Sequence, residues 1–325
     1  MRLPEWNLRN SVTVGGLVAF ALVPVVGAIL DQPFMLDIAM RVMCLAMAVV
    51  GLNLILGYGG MISFGHAAFV GIGAYSVGIP AYYGIYNGFL QIPLAVGLAA
   101  LFALITGVIC LRTRGVYFIM ITLAFAQMAF FAFVSIEEYG GDDGLVIDTK
   151  SEFAGLIDIE ETATLYYLIF ICLVGVLYFV KRIVESRFGM VIQGAKSNEV
   201  RMQAIGHDVF RYRLICYVIS GALCGLAGAL LGNFTTFISP EMMDWTRSGE
   251  LIFMIVLGGS GSLFGPVLGT AVFVVAEEIL PAIMNVAIPE SGIYWHIVFG
   301  PLLILVVLFG RRGIDGLLDW RPGRG

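Results

Sequence analysis

Apolar runs long enough to cross a lipid bilayer recur along almost the whole chain. A membrane-spanning helix needs about 20 apolar residues to cross about 30 Å of hydrocarbon. Only 13% of the 325 residues are charged, against about 25% in soluble domains. The spaces between the runs are too short for a soluble domain. The sequence therefore predicts an all-α polytopic membrane protein with a single transmembrane domain over residues 1–325.

Ten segments are candidate membrane spans, and because two of them are doubtful we expect eight to ten. They lie at residues 12–30, 36–56, 61–84, 89–111, 116–136, 163–180, 213–235, 250–262, 266–286 and 295–310. The doubtful segments, 61–84 and 250–262, are interrupted by glycines, so we expect them to be broken or re-entrant. The first run is longer than the 7–15 apolar residues of a signal peptide, which predicts a retained first helix.

The basic residues are concentrated in a few places. Of 18 lysines and arginines, fifteen lie in the N-terminal tail, the 112–114 turn, the 181–213 loop and the C-terminal tail from Arg311. Ten crossings place all four on one side, and the excess of positive charge on cytoplasmic loops makes that side the cytoplasm. The opposite side contains residues 137–162, with nine acidic residues and Lys150 as the only basic one. Both termini are therefore expected in the cytoplasm.

No residue pattern in the chain indicates an enzyme. A Walker loop needs a glycine followed by Lys-Ser or Lys-Thr, and no glycine here is followed in that way. The five cysteines are scattered through apolar runs without a CxxC pair, which indicates packing rather than metal or redox chemistry. There is no basic patch typical of nucleic-acid binding. We therefore expect no catalytic residue, no metal site and no cofactor in this chain.

One glycine-containing pattern occurs twice. It reads Leu-Gly-x-x-Gly followed by Phe-Gly, at residues 56–65 and again, one residue shorter, at residues 257–265. Glycine-interrupted segments at matching places in two halves of a transporter indicate an internal pseudo-repeat beside a substrate pathway. Glycine-rich helix packing without a repeat would look similar, so the sequence leaves both readings open.

A few polar residues within the spans invite a functional reading. His66 could be held in packing by a hydrogen bond to Ser63, could line a pathway, or could relay protons. Arg41 could pair with Glu277 across the bundle, which would neutralise both charges. Alternatively, Arg41 could extend to the membrane surface, with Glu277 and Glu278 also at that surface. The sequence does not decide between these alternatives.

The 181–213 loop is too patterned to be a simple connector. Val200 and Ile205 share one face of a short amphipathic helix that Ser197 could cap and Gly206 could end. Such a helix on the cytoplasmic side of a transporter could lie on lipid or dock into a partner protein.

Seven blocks along the chain carry a resemblance to a known family. They are NLILGYGG (53–60), SFGHAAF (63–69), LRTRGVYF (111–118), SRFGM (186–190), AIG (204–206), SGALCGLAGAL (220–230) and LGGSGSLFGPVLG (257–269). Together they resemble the LivM/LivH permease subunits of branched-chain amino acid ABC importers, in the family's order and over roughly residues 40–312. The resemblance implies the permease architecture of an ABC importer in a bacterial inner membrane.

The same resemblance implies partners. They are a second, LivH-like permease subunit, cytoplasmic ABC ATPase subunits that hydrolyse the ATP, and a periplasmic substrate-binding protein. In that family the loop corresponding to residues 181–213 seats a coupling helix in the ATPase. The resemblance therefore implies an ATPase-coupling role for Lys196, Glu199, Arg201, Ile205 and Gly206.

The expected function is the import of branched-chain or other hydrophobic amino acids. The same architecture could instead carry urea, short amides, or aromatic or dicarboxylic acids, and a secondary transporter is a further alternative. Against a secondary transporter stands the scarcity of paired intramembrane carboxylates for ion coupling. The translocation pathway is expected at a subunit interface beside the glycine-interrupted segments, near Tyr58, Ser63, His66, Thr122 and Gln127.

Overall fold

The protein is a bundle of α-helices. A computed structural model describes residues 8–30, 32, 34–153, 159–287, 297, 299–301, 304 and 313–318. The helices are α1 Leu8–Leu30, α2 Phe34–Asn53, α3 His66–Tyr82, α4 Gly88–Cys110, α5 Val116–Val134, α6 Thr162–Val184, α7 Arg187–Ser197, α8 Glu199–Ala204, α9 Val209–Thr235, α10 Trp245–Gly258, α11 Gly265–Ala287 and α12 Gly313–Leu318. A π-helical turn, Leu54–Tyr58, continues α2. Strands β1 Leu145–Val146 and β2 Phe237–Ile238 pair antiparallel.

Seven helices within the described residues are long and apolar enough to cross a membrane. They are α1, α2 with its π-helical turn, α4, α5, α6, α9 and α11. The two segments expected to be broken contain shorter helices, since α3 has 17 residues and α10 has 14. Irregular backbone at residues 59–65 and 259–264 interrupts them. Most residues of the predicted span 295–310, and most residues of both terminal tails, lie outside the described residues.

The connections between helices gather at two ends of the bundle. At one end, which we call the basic face (residues 111–115 and 185–208), Arg114 Nη2 lies 2.8 Å from Glu199 Oε1. At the other, the acidic face (residues 83–87 and 135–153), the Gly88 amide donates to the Glu152 carbonyl oxygen over 2.8 Å. The β1–β2 pair joins the acidic face to the end of α9, with Leu145 opposite Ile238.

Small residues on α9 bring the centre of the bundle together. Gly225 lies so close to α3 that a Cβ added to Gly73 would collide with the Gly225 carbonyl oxygen. On the side of α4, a Cβ added to Gly221 would lie 2.6 Å from the Cβ of Ala103. Because lipid tails are as apolar as the side chains, close backbone approach replaces hydrophobic burial as the main attraction between helices. The SGALCGLAGAL block therefore positions α9 between α3 and α4.

A buried polar cluster fastens the acidic face to the bundle. The Ser151 hydroxyl lies within hydrogen-bonding distance of the Gln91 and Asn233 side chains, 2.8 Å from Asn233 Oδ1. The Ser151 amide also donates to Asn233 Oδ1 over 2.9 Å. All three residues are buried. The cluster thus holds residue 151 against α4 and α9.

Candidate functional site

The two glycine-interrupted segments lie against each other. The Asn53 carboxamide, at the end of α2, donates to the Ser262 carbonyl oxygen over 2.8 Å and accepts from the Gly261 amide over 3.1 Å. A Cβ at Gly57 would collide with the Gly261 amide nitrogen. Backbone freed by a helix break inside a membrane must find other partners. Here Asn53, which precedes the first break, supplies hydrogen-bond partners for the backbone of the second break.

A serine side chain binds a glycine amide near the start of each helix that follows a break. The Ser63 hydroxyl oxygen accepts from the Gly65 amide over 3.2 Å, directly before α3. Ser262 accepts from the Gly265 amide over 2.7 Å at the start of α11. Gly65 and Gly265 hold matching places in the repeated pattern, but the serine lies two residues before Gly65 and three residues before Gly265. The internal pseudo-repeat therefore stays a prediction.

His66 is part of a hydrogen-bonded packing network. Its side chain is 0% exposed, with Nδ1 2.9 Å from Ser63 Oγ and Nε2 3.0 Å from Ser220 Oγ. Because the Ser220 hydroxyl donates its proton to the Gly51 carbonyl oxygen over 2.6 Å, its oxygen must accept from His66 Nε2–H. His66 Nδ1 then accepts from the Ser63 hydroxyl. All three hydrogen bonds therefore form when the imidazole is neutral. Of the roles left open by the sequence, hydrogen-bonded packing is the one that the structure shows.

The other predicted pathway residues lie in different surroundings. Thr122 Oγ1 accepts from the Phe64 amide over 3.2 Å, which holds α5 against the first break. Gln127 Nε2 donates to Asp244 Oδ1 over 2.7 Å, just before α10. Tyr58 is half-buried at the end of the π-helical turn. Their contact with a solute stays a prediction.

Arg41 forms an ion-pair cluster between α2 and α11. Its Nη2 lies 2.9 Å from a Glu277 carboxylate oxygen, and its Nη1 lies 3.1 Å from Glu278. The structure therefore shows the alternative in which Arg41 pairs with Glu277 across the bundle. Glu278 shares the same guanidinium group.

A cavity of about 440 Å³ borders this cluster. It lies between α2, α3, α9, α10, α11 and the segment 235–242, and its charged lining consists of Arg41, Glu241, Arg247, Glu250 and Glu277. All of these except Arg41 also line an adjoining cavity of about 560 Å³. None of the five predicted pathway residues lines either cavity.

Glu241, Arg247 and Glu250 were not predicted as site residues from the sequence. A signal was present, since Arg247 is one of three basic residues outside the four basic clusters. Arg247 and Glu250 form an ion pair over 3.0 Å on one side of α10. Ionisable residues at membrane depth are costly and are retained mainly at solute pathways and internal ion pairs. The cavity is therefore a second candidate site beside the glycine-interrupted segments.

The predicted amphipathic segment is two helices rather than one. Asn198, between α7 and α8, has extended backbone, and its side chain accepts from the Arg201 amide over 2.9 Å. Asn198 therefore caps α8, and the prediction of Ser197 as the cap was wrong because Ser197 ends α7. Gly206 follows α8 with a φ of 92°, a left-handed conformation that favours glycine.

The five predicted coupling residues divide into two groups. Glu199 joins Arg114 and Arg213, at 2.8 and 2.9 Å, and so holds α8 to the bundle. Lys196 Nζ donates to the Gly57 carbonyl oxygen over 2.6 Å.

The remaining three coupling residues are exposed, as is the neighbouring Val200. Arg201 and Gly206 are exposed, and the exposed fraction is 64% for Ile205 and 73% for Val200. Contacts on one side of α7 and α8 thus hold these helices to the bundle. Their other side exposes an apolar, partly charged surface.

Comparison with known proteins decides the family. A family model described as "Branched-chain amino acid transport system / permease component" matches residues 34–307. The chain belongs to this family. It is a multi-pass membrane permease and not an enzyme, in agreement with the prediction from sequence.

Individual relatives include both kinds of permease subunit. This permease is 27% identical to the high-affinity branched-chain amino acid transport system permease protein LivM of Escherichia coli K12, over 92% of this chain and 74% of the relative. It is 23% identical to the probable LivM permease protein of Methanocaldococcus jannaschii, over 81% and 88% of the two chains. It is 24% identical to LivH of Escherichia coli K12, over 83% and 91%. No solved structure matches it significantly.

Proposed function

We propose that this permease is a transmembrane subunit of an ABC importer that moves branched-chain or other hydrophobic amino acids across a bacterial inner membrane. The named solutes of LivM and LivH relatives support the solute class. Similarity to both LivM and LivH supports assembly of two permease subunits. A periplasmic binding protein delivers the solute to the acidic face. The basic face lies in the cytoplasm, because the excess of Lys and Arg marks cytoplasmic loops.

The observation that carries this proposal is the surface formed by α7 and α8. Val200 and Ile205 are exposed large apolar side chains on the basic face, and Arg201 lies beside them. Glu199 and Lys196 fix the same helices to the bundle behind. A rigid helix with an exposed apolar side is suited to a groove in a partner. The partner proposed is a separate ATPase subunit, which hydrolyses the ATP.

The test combines assembly with transport. The tagged permease is purified from its host, and the ATPase activity of the complex and the uptake of radiolabelled leucine by cells are measured. We expect Val200→Glu with Ile205→Glu to remove the ATPase activity from the purified complex and to stop uptake. Ile85→Glu is the matched control, because Ile85 is equally apolar and is exposed on the acidic face. The complex with Ile85→Glu should retain its ATPase activity after purification.

Two results would overturn the proposal. Uptake that survives ATP depletion and stops with a protonophore would indicate a secondary transporter. Uptake of urea, amides, or aromatic or dicarboxylic acids, with no uptake of leucine, isoleucine or valine, would overturn the solute class.

A further inference from the structure

The 440 Å³ cavity lies at membrane depth in the half of the bundle nearer the acidic face. Arg41 lies seven residues into α2, about 10 Å along the helix from Phe34, the end opposite the basic face. Glu277 lies twelve residues into α11, about 18 Å from the break at its start. Thr235, at the end of α9, also lines the cavity. The volume falls within the range of small-molecule sites.

The charged lining has groups that the protein leaves unused. Arg247 bonds Glu250 through Nη1 alone, at 3.0 and 3.3 Å. Within the described part of the chain, no hydrogen bond or close ion pair involves its Nη2, its Nε or the Glu241 carboxylate, although the charges of Glu241 and Glu277 lie near enough to interact with the guanidinium. Arg41, by contrast, is occupied by Glu277 and Glu278. The cavity thus offers a cationic donor fork and an anionic acceptor together.

The rest of the lining is mostly apolar. Aliphatic and thioether side chains come from four helices, namely Leu45, Val70, Leu231, Leu251 and Met254. The two arginines and three glutamates of the lining leave one net negative charge. A solute with an ammonium group, a carboxylate and an aliphatic side chain matches all three features. The net negative charge of the lining does not suit a dicarboxylate. Urea or a short amide has neither charge nor much apolar surface.

We infer that this cavity is the solute-binding chamber of the permease and that it takes an aliphatic α-amino acid as a zwitterion. The Arg247 guanidinium receives the α-carboxylate through Nη2 and Nε, a planar fork suited to bidentate binding. Glu241 accepts the α-ammonium group, and the aliphatic side chain packs on Leu45, Val70 and Leu251. The inference rests on the proposed function and adds to it the residues that contact the solute.

The experiment measures solute protection of a cysteine placed in the cavity. Ser239, which is half-exposed and lines the cavity, is changed to cysteine, a substitution of similar size. The five native cysteines are buried or half-buried, and the unsubstituted permease gives their background labelling. The purified transporter complex, without its binding protein, is labelled with a negatively charged thiosulfonate over a series of leucine concentrations. Ser135→Cys, exposed and outside the cavity, is the control.

We expect leucine to slow labelling of Ser239→Cys and to leave Ser135→Cys unchanged. Leucinamide, which lacks the carboxylate, and isocaproate, which lacks the ammonium group, should protect at about tenfold to hundredfold higher concentration, the loss expected for one charged hydrogen bond. Adding Glu241→Gln or Arg247→Gln to Ser239→Cys should raise the half-protecting leucine concentration by a similar factor. Glu278→Gln is the matched control, because Glu278 binds Arg41 but does not line the cavity.

The results separate this inference from the proposed function. If the intact complex imports leucine but leucine never protects Ser239→Cys, the chamber is wrong and the importer stands. Equal protection by leucine, leucinamide and isocaproate would also overturn zwitterion recognition. If the complex imports no amino acid at all, the proposed function itself fails.

Discussion

Lys196 donates a hydrogen bond from Nζ to the carbonyl oxygen of Gly57 over 2.6 Å. This bond joins α7, on the basic face, to the first of the two helix breaks. Gly57 in turn lies against Gly261 of the second break. We therefore expect a displacement of α7 to act on the first break through Lys196 and on the second break through Gly57.

Replacing Lys196 by methionine should uncouple ATP hydrolysis from the solute. Methionine keeps the apolar stem and removes the donor, so we expect assembly and basal ATPase activity to persist and leucine-stimulated activity to fall. Lys181→Met, at an exposed lysine near the end of α6, should change neither. Full stimulation in the Lys196→Met complex would contradict a coupling role for this bond.

Glu199 and Arg201 should behave differently although they lie on the same short helix. Glu199→Gln removes two ion pairs, and we expect the free energy of unfolding to fall by about 1–2 kcal/mol, between the values for exposed and buried pairs. Arg201→Glu should leave thermal stability unchanged and lower solute-stimulated ATPase activity, because Arg201 is exposed.

The control for Glu199→Gln is Asp208→Asn, which removes an exposed ion pair with Arg211, while asparagine is able to keep the cap that Asp208 provides for the Arg211 amide. This substitution should change the free energy of unfolding by no more than about 0.5 kcal/mol. A Glu199→Gln variant as stable as the control would argue against the role of Glu199 in holding α8.

His66→Ala should destabilise the protein without changing the pH dependence of uptake. The substitution leaves Ser63 and Ser220 without their shared partner, which costs about 1–3 kcal/mol for buried groups. Thermal unfolding in detergent should show a lower midpoint, whereas His207→Ala, at the basic face, should be nearly neutral. A changed pH profile of uptake with an unchanged midpoint would instead indicate proton transfer.

Gly73→Ala should lower the yield of folded protein sharply. The added methyl group would meet the Gly225 carbonyl oxygen, so α3 and α9 would have to separate. Gly97→Ala on α4 is the matched control, since nothing lies within 4 Å of a Cβ there. Size-exclusion profiles of the two variants provide the measurement, and equal profiles would contradict the close packing described for α9.

The helices and their interruptions could be predicted from sequence because their causes are local. Apolar runs of sufficient length predict spans, and glycines at residues 57–60 and 258–261 predict breaks. The partners of polar groups could not be predicted, because they depend on distances between remote parts of the chain. Arg41 and Glu277 could be considered as a pair, but nothing local connects Asn53 with residue 262 or Glu199 with Arg114.

The site was harder to predict than the fold for the same reason. The five residues expected to line the pathway were chosen by their position beside the first break, whereas the cavity is lined from six elements. Arg247 and Glu241 become a pair of recognition groups only when α10 and the preceding turn fold back between α9 and α11. Family resemblance located the segment 181–213, and the structure then distinguished its exposed residues from those that hold it in place.

The bond between Asn53 and Ser262 spans 209 residues of the chain. During synthesis α2 enters the membrane early, and the acceptor for its asparagine arrives only after about four-fifths of the chain has been made. Until then a carboxamide without its native partner remains at membrane depth, where an unsatisfied polar group costs several kcal/mol. Chains that terminate before residue 262 should keep this defect, and membrane quality-control proteases should therefore degrade them faster than the full-length protein.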